Sequence, residues 1–198
     1  MKQTEATSPR AAAKAARREQ LLAVAKTLFA RHGFHGVRLE DLAKGVGISA
    51  PAVYRHFESK EAVLEELLVG ISQYLQTGGD AIASRNAEAV PTLRALVDFH
   101  IDFAMSEPDL IRIQDRDFAA LPDGSRRTVR RLQRQYVSEW AAVAAQAHPD
   151  WSLEAATVRV HAAFGMMNST PYLARSSSAE VVRRELRAAA TAALGLSK

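Results

Sequence analysis

Apolar residues recur at three- and four-residue spacing along nearly the whole chain, and no stretch shows the period-two alternation of a half-buried strand. The first stripe, Leu21, Leu22, Ala25, Leu28 and Phe29, predicts a helix that ends at Gly33. The stretch LEDLAKGVGISAPAVYRHFESK (39–60) carries two short elements. Leu39, Leu42, Ala43 and Val46 form one amphipathic face that stops at Gly47. A second helix starts at Pro51, with Ser49 placed to cap it, and ends in Val53, Tyr54 and Phe57. Helix, glycine turn and short capped helix is the layout of a DNA-reading helix-turn-helix.

Ser59 is placed to cap a fourth helix whose stripe (Val63, Leu64, Leu67, Leu68, Ile71, Leu75) is expected to end at Gly78–Gly79. Further helices are predicted from Pro91 to Met105, from Pro108 through Phe118, over 125–147, from Ser152 to about Tyr172, and over 179–194. The fold class is all-α: a three-helix head bearing the helix-turn-helix, on a larger helical body, with roughly nine helices in total. Residues 1–14 are expected to be a disordered basic arm, 15–60 the DNA-binding domain, and 61–198 an effector-binding and dimerisation domain. Across the boundary between the first two, RAAAKAARR (10–18) has high helix propensity and reads equally as a solvated helix start or as an arm along a DNA backbone.

Charge sharpens this division. Residues 1–60 hold 11 Lys/Arg against 5 Asp/Glu, whereas the remainder holds 15 against 17. Positive charge gathered around the short second helix is what phosphate binding requires. The chain has no cysteine, which excludes disulfides and thiolate sites. It has no membrane-length apolar run, no signal-peptide core, and none of the nucleotide-binding, nucleophile-elbow or zincin motifs. An enzyme, a cofactor and a metal site are therefore not expected, and the cytoplasm is the expected location.

The segments AKTLFARHGF (25–34), EDLAKGVGIS (40–49) and AVYRHFESKEAVLEEL (52–67) resemble, in one register, the N-terminal region of TetR-family transcriptional regulators. The resemblance covers about residues 15–70. It implies that Ser49, Ala50, Pro51 and Ala52 face base edges and backbone, and that Tyr54, His56 and Lys60 hold phosphates. Phenol, imidazole and ammonium groups all donate to phosphate oxygens. Arg55 is an additional charged candidate. Where the family has a small hydroxyl residue at the start of the second helix, this chain has Val37 and Arg38. Arg38 can reach phosphate but cannot cap.

The resemblance also implies a homodimer through the two C-terminal helices, a double-stranded operator, and a small-molecule effector in the body. Small residues (Ala162, Ala163, Gly165, Ala188 to Ala190) would let those helices approach closely. Phe99, Phe103, Phe118, Tyr136, Trp140, Phe164, Met167 and Asn168 are the candidate pocket residues, joined by the polar His100, Asp102, Gln114 and His161. Arg126, Arg127, Arg130, Arg131 and Arg134 read first as a solvated face paired with acids such as Asp115 and Asp117. A second reading gives them an anionic effector such as an acyl-CoA thioester. The mechanism expected is release of a repressor from a palindromic operator, with helix 60–76 as the lever. The alternatives are a DNA binder without effector or, least favoured, an enzyme.

Overall fold

The structure is a computed structural model that describes residues 8–85, 88–173 and 177–196. Among these there are nine α-helices, two short 3-10 turns and no strand. The helices are α1 (Pro9–His32), α2 (Leu39–Val46), α3 (Ala50–Val53), α4 (Lys60–Arg85), α5 (Ala89–Ser106), α6 (Pro108–Asp117), α7 (Asp123–Ala147), α8 (Leu153–Met167) and α9 (Ala179–Ala193). The helix starts follow capping chemistry. Ser8, Ser59, Ser152 and Ser178 each accept a backbone N–H three residues on, as orphan donors at helix N-termini require. At the start of α2 the arginine does not cap with its side chain. The box is closed from the other side, by Asp41, whose carboxylate accepts the Arg38 N–H at 2.9 Å. Gly47 takes φ 71° and ψ 37° after α2, the left-handed conformation that lets the chain reverse into α3.

Three expectations are corrected. Residues 9–14, expected to belong to a disordered arm, are already the first turns of α1, which Pro9 opens at the position where its missing N–H is harmless; residues 1–7 lie outside the described ones. Ser49 precedes α3 in extended conformation, but its side chain makes no capping bond. Gly78 and Gly79 do not end α4, which continues to Arg85. They are points of close approach. A Cβ at position 78 would stand 2.2 Å from Phe99, and one at 79 would stand 2.7 Å from Tyr136.

Two large hydrophobic clusters organise the molecule, and a small third one joins Phe103, Ala104 and Ile111. The head cluster gathers Leu21, Phe29, Leu42, Val53 and Phe57. It also takes in Val63, Leu64 and Leu68 of α4, Leu110 and Ile113 of α6, and Val129 of α7. The body cluster is built on Leu93, Leu96, Ile101, Trp140, Val160 and Met167, with Leu75 and Ile82 of α4 packed against it. One continuous helix, α4, therefore belongs to both, and α6 fastens the body to the head. Glu107 pairs with Lys26 of α1 at 2.5 Å, and Arg116 donates to the Phe29 and Ala30 carbonyls.

Candidate DNA interface and effector cavity

Around α3, the structure divides the sequence candidates into those that face outward and those used internally. Arg38, Ser49, Pro51, Tyr54 and Arg55 are exposed, and Tyr54 is 54% so, with its ring as well as its hydroxyl outside the core. Ala50 is half-buried against the head cluster, and Ala52 is buried beside Val53. Ala52 was expected to face base edges; it is instead buried, only 8% exposed.

Lys60 departs furthest from expectation. Its ammonium donates to the Phe34 and Val37 carbonyls at 2.7 and 2.9 Å and sits 4.2 Å above the Phe34 ring. It closes the loop between α1 and α2 instead of reaching outward for phosphate. His56 is half-buried, and its Nδ1 is enclosed without a partner. Burial first, then the nearby charges of Lys14, Arg18, Arg55 and Arg17, hold its pKa below the ordinary histidine value. The first turns of α1 thus converge with the end of α3 in one basic surface.

Arg18 organises that convergence. It forms an ion pair with Glu66 of α4, donates to the His56 carbonyl, and lies 4.0 Å over the Phe57 ring. Arg17 donates to the Val46 carbonyl at the end of α2. Neither role was singled out from sequence. The signal was present for Arg18, which stands three, four and seven residues before Leu21, Leu22 and Ala25 and so shares their inward face.

In the body, α4, α5, α6, α7 and α8 enclose a cavity of about 260 Å³. Phe103, Tyr136, Phe164 and Asn168 line it, together with His100, Gln114 and His161. The other pocket candidates lie elsewhere. Trp140 and Met167 are fully buried behind the wall, Phe99 packs on Tyr74 and Gly78, and Phe118 sits under the Arg130 guanidinium. Asp102 is on the surface, paired with Arg183. The wall also includes Ile71, Ser72 and Leu75 of α4 and Leu110 and Ile111 of α6, which sequence reasoning assigned to packing.

A buried hydrogen-bond relay crosses the cavity. His100 Nε2 faces Asn168 Oδ1 at 3.0 Å, and His100 Nδ1 faces the Tyr136 hydroxyl at 3.3 Å. A neutral imidazole satisfies both contacts when Nε2–H donates to Asn168 and the phenol donates to Nδ1. Burial lowers the His100 pKa to about 4, against the opposing bond from Asn168, and burial raises that of Tyr136. Among the described residues of the wall Asp115 is the one carboxylate and none is a lysine or arginine; Asp115 accepts the Tyr172 hydroxyl at 3.1 Å.

Comparison with known proteins fixes the family. Residues 21–67 match "Bacterial regulatory proteins, tetR family" and residues 86–172 match "Tetracyclin repressor-like, C-terminal domain". The chain belongs to the TetR family. It is accordingly a DNA-binding transcriptional regulator and not an enzyme. It is 28% identical over 162 residues to the HTH-type transcriptional repressor KstR2 of Rhodococcus jostii, covering 81% of this chain and 79% of that one. Among solved structures, a TetR-family transcriptional regulator from Bordetella parapertussis superposes with a TM-score of 0.81 at 22% identity, over 89% of this chain and 93% of that one. AibR, solved in complex with isovaleryl coenzyme A and operator DNA, superposes with a TM-score of 0.73 at 17% identity, over 86% and 96%. Both structures share the TetR fold with this chain. Among the described residues no helix is long and apolar enough to cross a membrane.

Proposed function

We propose that this TetR-family protein is a repressor released from a palindromic operator by a small apolar effector or an acyl-CoA thioester bound in the body cavity. The observation that carries this reading is that the cavity wall includes the two helices that hold the head. Ile71, Ser72 and Leu75 belong to α4, which carries Lys60 and Glu66 at its head end; Leu110 and Ile111 belong to α6, which grips α1 through Arg116 and through Glu107 just before its first residue. A ligand that favours another setting of either helix shifts the head, and the population moves off DNA in proportion to the ligand's preference for that setting. The isovaleryl coenzyme A and operator DNA of AibR, a structural neighbour, favour an acyl thioester as the effector class. The protein acts in the cytoplasm as a homodimer through α8 and α9, which expose Leu153, Val158 and Val181 and leave open space at Gly165. Two recognition helices about 34 Å apart then meet successive major grooves.

Selection from a pool of random duplexes tests this. The expected result is an enriched palindrome that wild-type protein binds, with about tenfold weaker binding for Tyr54→Ala and for Arg55→Ala, as loss of a phosphate contact implies. Release of that palindrome by apolar or acyl-thioester probes completes the test. Binding to every duplex alike, with no release by any probe, would instead identify a constitutive DNA binder.

His56 adds a pH signature. A phosphate beside its ring favours the imidazolium, so its pKa is higher on DNA than in the free protein, where burial and cations lower it. The affinity it contributes is fully present below the free-state pKa and is lost as pH rises through the bound-state pKa. Titrating operator affinity between pH 5.5 and pH 8, about the range of histidine chemistry, is expected to show tighter binding at the acid end, and His56→Gln is expected to flatten the curve. A wild-type curve as flat as that of the variant would remove His56 from the contact.

A further inference from the structure

Arg127, Arg130, Arg131 and Arg134 recur at three- and four-residue spacing, so they share one face of α7, and all four are exposed. The acids expected beside them are engaged elsewhere. Asp117 is held by Arg116, Asp115 accepts the Tyr172 hydroxyl, and Asp123 pairs with Arg126 alone. Among the described residues none of the four forms an ion pair, and Arg131 has only the Gln135 amide oxygen, at 3.0 Å. Like charges four residues apart repel at Arg127/Arg131 and at Arg130/Arg134. The face is therefore a concentration of uncompensated guanidinium groups. They line open surface formed by α7 alone.

The arginine face and the cavity wall share no residue and approach each other along one edge of α7, at Arg130. Gln133, one turn beyond Arg130, lines the cavity, and so does Gln114, one turn before Phe118, whose ring lies 5.4 Å beneath the Arg130 guanidinium. Arg130 thus stands at the rim between α6 and α7. The cavity itself receives no anion well, because His100 is neutral and Asp115 is the charged group on its wall. Its 260 Å³ suits about ten carbon atoms, scaled from the roughly 150 Å³ cavity that holds benzene.

We infer that the α7 arginine face is the phosphate-binding half of the effector site. The effector is an amphiphile, with a short acyl chain in the cavity and a diphosphate-bearing head, of the coenzyme A type, on Arg127, Arg130 and Arg134. This rests on the reading that the cavity receives the effector. Guanidinium groups pair with phosphate oxygens bidentately, which an aliphatic ligand alone would leave unused.

The test measures binding of three probes to the full-length protein by calorimetry. Octanoyl-CoA carries both halves, free coenzyme A carries only the head, and the N-acetylcysteamine thioester of octanoate carries only the neutral acyl part. Octanoyl-CoA is expected to bind at least tenfold more tightly than the neutral thioester, with an affinity that falls as salt rises. Arg130→Gln/Arg134→Gln is expected to lose at least tenfold for octanoyl-CoA and for coenzyme A, while leaving the neutral thioester and the thermal midpoint unchanged. Equal binding of octanoyl-CoA by variant and wild type overturns the inference. So does a variant that loses operator affinity alone, because the face would then hold duplex phosphates. If the neutral thioester binds and releases operator while the CoA head adds nothing, the inference fails and the effector reading stands. If no probe binds and none releases operator, both fail.

Discussion

Gly79→Leu is expected to lower the thermal midpoint by roughly 4–8 °C, from a net loss of about 2 kcal/mol. The leucine gains about 1 kcal/mol of helix propensity in the middle of α4. Against this, its Cβ alone would fall 2.7 Å from Tyr136 and 2.9 Å from a Glu139 carboxylate oxygen. Tyr136 cannot move aside cheaply. It is 5% exposed, stacks on Phe164 and His100, and is bonded to His100. Glu139 is also confined: burial, then the charge of Asp80, raises its pKa to about 7, and its Oε2 is buried without a hydrogen-bond partner. Gly70→Leu is the control, because a Cβ there meets nothing within 4 Å. It is expected to stabilise by up to about 1 kcal/mol through propensity alone. Calorimetric melting of the two variants checks the argument, and equal stabilisation by both would show that α4 and α7 are not in the close contact described.

Lys60→Met is expected to destabilise the head by about 2–3 kcal/mol while leaving the salt dependence of DNA binding intact. The substitution keeps an apolar stem over Phe34 but removes the charged donor that two loop carbonyls share. Hydrogen bonds to charged groups are worth more than neutral ones, and the abandoned carbonyls lose their partner. Because the ammonium faces the loop, the slope of log affinity against log salt is expected to match that of the wild type. Arg55→Ala, by contrast, is expected to reduce the slope by about one contact. Denaturant melting together with operator titration at several salt concentrations separates the two. A slope reduced by one in Lys60→Met would place the ammonium on phosphate after all.

These two positions also show what the sequence disclosed and what it withheld. Helix period, most of the serine caps and the Gly47 turn are local properties, and they located the helices, although α1 begins earlier, α4 ends later and α8 ends earlier than expected. Gly78–Gly79 misled because glycine marks both a helix stop and a close approach, and only the tertiary partner, Tyr136 on a distant helix, decides between them. At the DNA face the residue types were legible but the directions were not. Lys60 and Tyr54 both carry phosphate donors, yet one is turned into a loop and the other outward. In the body, aromatic type could not separate Trp140, sealed in the core, from Phe164 on the cavity wall. The polar residues His100, Gln114 and Asn168 were the better guides, because a polar group on an apolar stripe needs a partner or a ligand.

The two buried-ring environments give this regulator unequal hearing. His56 at the DNA face sits where a proton can come and go. His100, sealed in its relay with a pKa of about 4, keeps the same proton count through any acidification a living cell tolerates. On the proposed reading, the His100 relay therefore adds no proton linkage to effector binding near neutral pH. A fall in pH that tightens operator binding through His56 is expected to leave the His100 relay unchanged.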